Sequence, residues 1–198
     1  DPRAEPPLIS ALNDSDAAVR AAAADSLGRL RSTQAVDPLI RLLADDSPMA
    51  REAASRSLGR IGQPAFAALI RALAEGDSST QSGAAAALGD IGDRRAIEPL
   101  IEAFKKGEGS VRHNAVLSLA KIDPSSMVKP FMDLLGSNSS AIRADAAWAL
   151  GLSGTEDATA KSRLLQMMAK DNDSDVRFNA SRSLRQLGEK WDPVALEF

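Results

Sequence analysis

Few residues in this chain could carry chemistry. His113 is the only histidine, with Asn114 beside it, and cysteine is absent. No thiolate nucleophile, disulfide or thiolate-bound metal is therefore available. A single histidine without an adjacent Glu makes neither a triad nor a metal site. The expectation is no catalytic residue, no metal and no cofactor, with His113 structural or at the rim of a contact surface. The other candidate is a column of arginines, Arg20, Arg51, Arg112, Arg143 and Arg177, with Gln81 in the third place. A ladder of this kind could bind anions. Half-buried Arg usually has a local partner, however, so the favoured reading is structural: pairing with turn carboxylates such as Asp14, Asp45 or Asp171 and with turn carbonyls.

That column belongs to a repeat. Leu27, Leu58, Leu88, Leu119, Leu150 and Leu184 recur at spacings of 31, 30, 31, 31 and 34 residues. A parallel column reads Leu8, Leu39, Leu69, Leu100, Phe131 and Leu164. Three columns at one period mark a solenoid of two-helix units. The units run over about 1–31, 32–62, 63–92, 93–123, 124–154 and 155–188, and 189–198 is a cap or the start of another. In each, a first helix such as 96–104 sets Ile97, Leu100, Ile101 and Phe104 on one face. Pro7, Pro38, Pro99 and Pro130 stand near its start, where a missing N–H costs least. The second helix opens at a cap column of Asp16, Ser47, Asp77, Glu108, Ser139 and Asp173, and all but Glu108 are preferred cap residues. Runs of Ala let neighbouring helices approach, and the Gly after the closing Leu (Gly28, Gly59, Gly89, Gly151) reads as a left-handed stop. Neither helix buries its apolar face alone, so the units must stack.

The pattern Val-Arg-x-x-Ala-Ala-x-Ser/Ala-Leu-Gly-x-Ile/Leu-Gly, followed by Asp-x-x-Ala-x-x-Pro-Leu-Ile, is clearest over 19–30, 84–101 and 142–152. It resembles the HEAT-like repeat of the phycobilisome-lyase type, over essentially the whole chain. The resemblance implies an all-α, α-α superhelix of about six short two-helix repeats forming a single array over 1–198. It constrains function less, because such repeats occur in scaffolds, lyase subunits and hydroxylases. The paired His-Glu iron motifs of the deoxyhypusine-hydroxylase branch are absent, which sets that branch aside. Asp145 and Trp148 on one helix, with Arg143 and Arg182 near, are similar to the helical-repeat alkylpurine DNA glycosylases, where such a pair could cradle an extrahelical base.

Charge weighs against that last reading. Lys and Arg number 24 against 27 Asp and Glu, a net charge of -3, whereas a protein gripping a phosphate backbone usually carries a basic excess. No apolar run approaches the roughly 20 residues of a membrane span. A cysteine-free chain suits either redox compartment, and the cytoplasm is the default expectation.

Function is sought instead where the template leaves residues free, on the inner face of the second helices, which in solenoids line a concave groove. Small or charged residues occupy these positions in the first three units, among them Arg56. Units four to six supply His113, Asn114, Leu117, Lys121, Asp145, Trp148, Leu152, Phe178, Asn179 and Arg182. An exposed Trp among apolar and Arg residues is hot-spot material. The expected function is a non-enzymatic scaffold that takes a protein or peptide partner in this groove. A bilin lyase or lyase-like subunit binding a tetrapyrrole is the alternative, and a DNA-binding glycosylase the less favoured one. The start, residues 1–9, aligns with 93–101, so the chain reads as excised from a longer protein that could supply further repeats or domains. Trp191 is expected to cap the last unit.

Overall fold

The computed structural model describes residues 4–188; the cap expected at Trp191 lies outside them. Two compact units, Asp1–Ile122 and Asp123–Phe198, each gather their own core. The described residues of both are helical, without a strand.

The first unit holds α1 (Glu5–Ala11), α2 (Ala17–Leu30), α3 (Val36–Leu42), α4 (Pro48–Ile61), α5 (Gln63–Glu75), α6 (Ser78–Ile91), α7 (Ile97–Lys106) and α8 (Ser110–Ile122). The even-numbered helices stack in sequence order as one layer, and each odd-numbered helix packs on the even one that follows it. The second unit holds α9 (Val128–Leu134), α10 (Ser140–Leu152), α11 (Ala158–Lys170) and α12 (Ser174–Gln186), with α10 and α12 side by side. This is the two-layer helical solenoid that the period implies.

The columns explain the layers. Leu27, Leu58, Leu88, Leu119, Leu150 and Leu184 are all fully buried, as are Leu39, Leu69, Leu100, Phe131 and Leu164 from the first helices. Pro7, Pro38, Pro99 and Pro130 each stand third in their helices, inside the first turn, where a backbone N–H has no intrahelical acceptor. Four of the six residues in the cap column make a side-chain cap bond. Asp16, Asp77, Ser139 and Asp173 each accept a first-turn N–H, whereas Ser47 begins α4 without a side-chain cap bond. Glu108 does not cap at all, since α8 starts only at Ser110, after Gly109 at a φ of 45°. The expanded sixth repeat turns at Gly154, φ 62°, and restarts at Asp157, which caps α11.

The glycine column has a different role from the expected helix stop. Gly28, Gly59, Gly89 and Gly151 lie inside their helices. A Cβ on Gly28 would come within 2.6 Å of Ser57, on Gly89 within 2.4 Å of Ser118, and on Gly151 within 2.5 Å of Ser183. Glycine is there so that successive second helices can touch. The left-handed residues come later, at Arg31, Gly62 and Gly92.

The arginine column fastens turns, as expected, and at Arg20 and Arg143 its geometry is bipartite. Arg20 donates Nη1 to the carbonyls of Asp14 and Ser15, fastening its own turn. Its Nε and Nη2 grip the Asp45 carboxylate of the next turn at 2.8 and 2.7 Å. Arg143 repeats this, Nη1 to Ser137 and Asn138 and the fork to Asp171 at 2.9 and 2.8 Å. Arg51 and Arg177 hold their own turn carbonyls through Nη1. Asp14 contributes its carbonyl to Arg20, while its carboxylate accepts the Asp16 N–H. Paired guanidinium bonds draw the Asp45 and Asp171 carboxyls below the ordinary carboxylate range, helped by the Ser47 and Asp173 N–H groups.

Candidate functional site

The residues singled out from the sequence fall into two groups, one on each unit. On the second unit, α10 presents Asp145, Trp148 and Leu152, and the neighbouring α12 presents Phe178, Asn179 and Arg182. Trp148, Leu152, Asp145 and Asn179 are half-buried and Arg182 is exposed. Phe178 is 66 % exposed, the most solvent-facing large apolar side chain among the described residues. Its column holds Ala21, Glu52, Ser82, His113 and Ala144 in the other repeats, so packing of the repeat asks for no aromatic ring there. Trp148 likewise stands where other copies carry Asp25, Arg56, Ala86, Leu117 and Arg182. The two rings are additions to the template, on adjacent helices of one layer.

On the first unit, α4 presents Arg56, and α8 presents His113, Asn114, Leu117 and Lys121. His113, Lys121 and Arg56 are exposed, and Asn114 and Leu117 half-buried. The polar members are tied across the layer. Asn114 donates to the Ser82 hydroxyl at 2.8 Å, and Lys121 to Asp90 at 2.8 Å. Arg56 stands 3.5 Å from Asp25 and 3.7 Å from Glu52. Exposed pairs of this kind add little stability but fix where the charges sit.

Arg56 and Asn114 meet in an open cleft of about 470 Å³ between α4, α6 and α8. Its walls also include Arg51, Ser79, Ser82, Ser110 and Asp90. No single column of the repeat reveals this cleft. Its serines look like surface filler one at a time, and Arg51 reads as one rung of the ladder. The signal lay in the third unit, where Gln81 interrupts the arginines and Gly83 replaces the Ala found at Ala22 and Ala53.

Among the described residues no group of His, Asp and Glu is arranged to hold a metal. No described helix is long and apolar enough to cross a membrane.

A family model for HEAT repeats matches residues 5–80 and 97–185. The chain is a HEAT-repeat protein. Within it, residues 80–106 match the PBS lyase HEAT-like repeat, the type that the Leu-Gly-x-Ile-Gly segment resembles. No curated protein sequence matches this HEAT-repeat chain. Among solved structures it is similar to the complex of CpcE and CpcF of phycocyanin lyase from Nostoc sp. PCC7120, at 25% identity and a TM-score of 0.51. That match covers 92% of this chain and 76% of the other. A designed armadillo repeat protein in complex with the peptide (KR)4 matches at 19% identity, covering 92% and 98%, with a TM-score of 0.49.

Proposed function

We propose that this HEAT-repeat chain is a binding scaffold without catalysis of its own, working as one array that takes a protein or peptide partner along the exposed face of its second helices. The observation that carries the reading is the pair Trp148 and Phe178. Two aromatic rings that the repeat does not require, one of them 66 % exposed, stand on neighbouring helices with Arg182 and Leu152. Aromatic and Arg side chains supply large contact area at small entropic cost, which is why they dominate binding hot spots. On the first unit, Leu117, Lys121, His113 and Asn114 are the proposed contact residues. The test is capture of partners from the source organism by immobilised wild-type chain and by the double variant Trp148→Ala, Phe178→Ala. Specific partners are expected to be retained by the first and lost by the second, with far-UV circular dichroism unchanged. Equal capture by both would remove the aromatic pair from the binding surface.

The likeness to the phycocyanin lyase complex supports a second reading, a lyase-like subunit that holds a tetrapyrrole. Titrating the chain with a bilin separates the two. An induced shift in visible absorbance favours the lyase-like reading, and an unchanged spectrum favours the scaffold.

A further inference from the structure

Arg51 differs from Arg20 and Arg143 of its column. At the same position in repeats one and five, the guanidinium fork closes on a carboxylate: Arg20 on Asp45 and Arg143 on Asp171. The turn after α5 supplies no such group. It consists of Gly76 and Asp77, and the Asp77 carboxylate caps α6 by accepting the Thr80 N–H at 2.8 Å. A side chain on Gly76 has no room, since its Cβ would come within 2.6 Å of the Ala72 carbonyl and of Thr80. Arg51 therefore donates Nη1 to the carbonyls of Asp45 and Asp46, and among the described residues its Nε and Nη2 have no acceptor.

Arg51 lines the cleft between α4, α6 and α8. The other charges there are matched. Asp90 accepts from Lys121, and Glu52 stands beside Arg56, which also faces Asp25. The hydroxyls of Ser79 and Ser110 stand at the same cleft. We propose that this cleft seats the carboxylate of an Asp or Glu side chain from an acidic partner peptide, held by the two remaining donors of Arg51. The chain itself shows the chemistry twice, with an intramolecular aspartate in the same fork. A phosphate suits the cleft less well, because its second charge would face Glu52 and Asp90. The choice of a peptide as the source rests on the scaffold reading; the cleft geometry does not depend on it.

The test is fluorescence anisotropy with a labelled nine-residue peptide of three Gly-Ser-Glu repeats, against the same peptide with Gln for Glu. Two variants carry the decision. Arg51→Lys keeps the charge but not the fork, and Ser79→Asp places a competing carboxylate at the cleft from an exposed first-turn position, where helix geometry favours it. The Glu peptide is expected to bind wild type at least about tenfold more tightly than the Gln peptide, with a similar loss in either variant, and Ser79→Asn is expected to bind as wild type. Thermal melts check that all variants fold. Equal binding of the Gln peptide, or unchanged binding by Arg51→Lys and Ser79→Asp, overturns the proposal. So does displacement of the Glu peptide by inorganic phosphate at concentrations where acetate has no effect, which would assign the cleft to phosphate. The Trp148→Ala, Phe178→Ala protein is run alongside. Retained peptide binding there ties the signal to the cleft, and failure of the cleft leaves the aromatic-pair test standing by itself.

Discussion

The guanidinium of Arg143 meets the carboxylate of Asp171 through two parallel hydrogen bonds of 2.9 and 2.8 Å across 28 residues of sequence. The same side chain fastens its own turn through Nη1. One residue thus joins the turn between the two helices of repeat five to the corresponding turn of repeat six, and both partners are largely buried. Asp171→Asn keeps the shape but removes the charge. The expected loss is about 3–6 °C in Tm, from hydrogen bonds to a charged group in a chain of this size. Asp175→Asn, on the exposed first turn of α12, is expected to change Tm by less than about 2 °C. Differential scanning calorimetry of the two variants checks the contrast.

A pH dependence follows from the same pairs. The Asp45 and Asp171 carboxyls lie below their ordinary value, first because of the Arg20 and Arg143 forks. The unfolded chain, with ordinary carboxyls near about 4, then binds more protons than the folded one as acid is added. The stabilisation is fully present above about pH 4 and is lost as pH falls through the depressed folded values. Melts between pH 7 and 3 should show Tm of wild type falling more steeply below about pH 4 than that of the Asp45→Asn, Asp171→Asn variant. Parallel curves would remove these two groups from the acid response.

Gly89 tests the close approach of second helices. Its substitution by Ala puts a methyl 2.4 Å from the Ser118 hydroxyl and 2.8 Å from the Ser118 Cα, and backbone cannot swing aside. A loss of about 1–3 kcal/mol in urea unfolding is expected, as for an overpacked core. Ser118→Gly in the same chain should recover part of it. Without recovery, the cost of Gly89→Ala arises elsewhere than at this contact.

Two phenylalanines separate core from surface. Phe131 is fully buried in α9, and its truncation to Ala should cost about 3–5 kcal/mol. Phe178 is 66 % exposed, and Phe178→Ala should stay within about 0.5 kcal/mol of wild type. A large loss at Phe178 would mean that its ring is part of the core.

The repeat was legible because burial recurs: each fully buried Leu of the two columns marks a fixed place in a helix pair. The arginine ladder was legible because a charged side chain next to a buried face needs a nearby acceptor, and Asp45 and Asp171 stood at the right distance along the chain. What escaped depended on neighbours across the layer. Gly28 reads as a terminator on its own, and only Ser57 shows that it is a contact. Glu108 occupies the cap column by count, but the Gly109 turn moves the helix start one residue on. The cleft at Arg51 comes from what three helices fail to supply, and no single column shows that. Trp148 and Phe178 stood out by their types, since the rest of their columns is mostly small, polar or charged.

The glycine contacts also bear on how such a chain could be cut or extended. Gly28 meets Ser57, Gly89 meets Ser118 and Gly151 meets Ser183, which join repeats one to two, three to four and five to six. Between repeats two and three the partner of Gly59 is Asp90 instead. Within the first unit the seams therefore alternate, so repeats two and three together, and neither alone, are the smallest piece that could be removed or duplicated while leaving matched surfaces on either side of the joint.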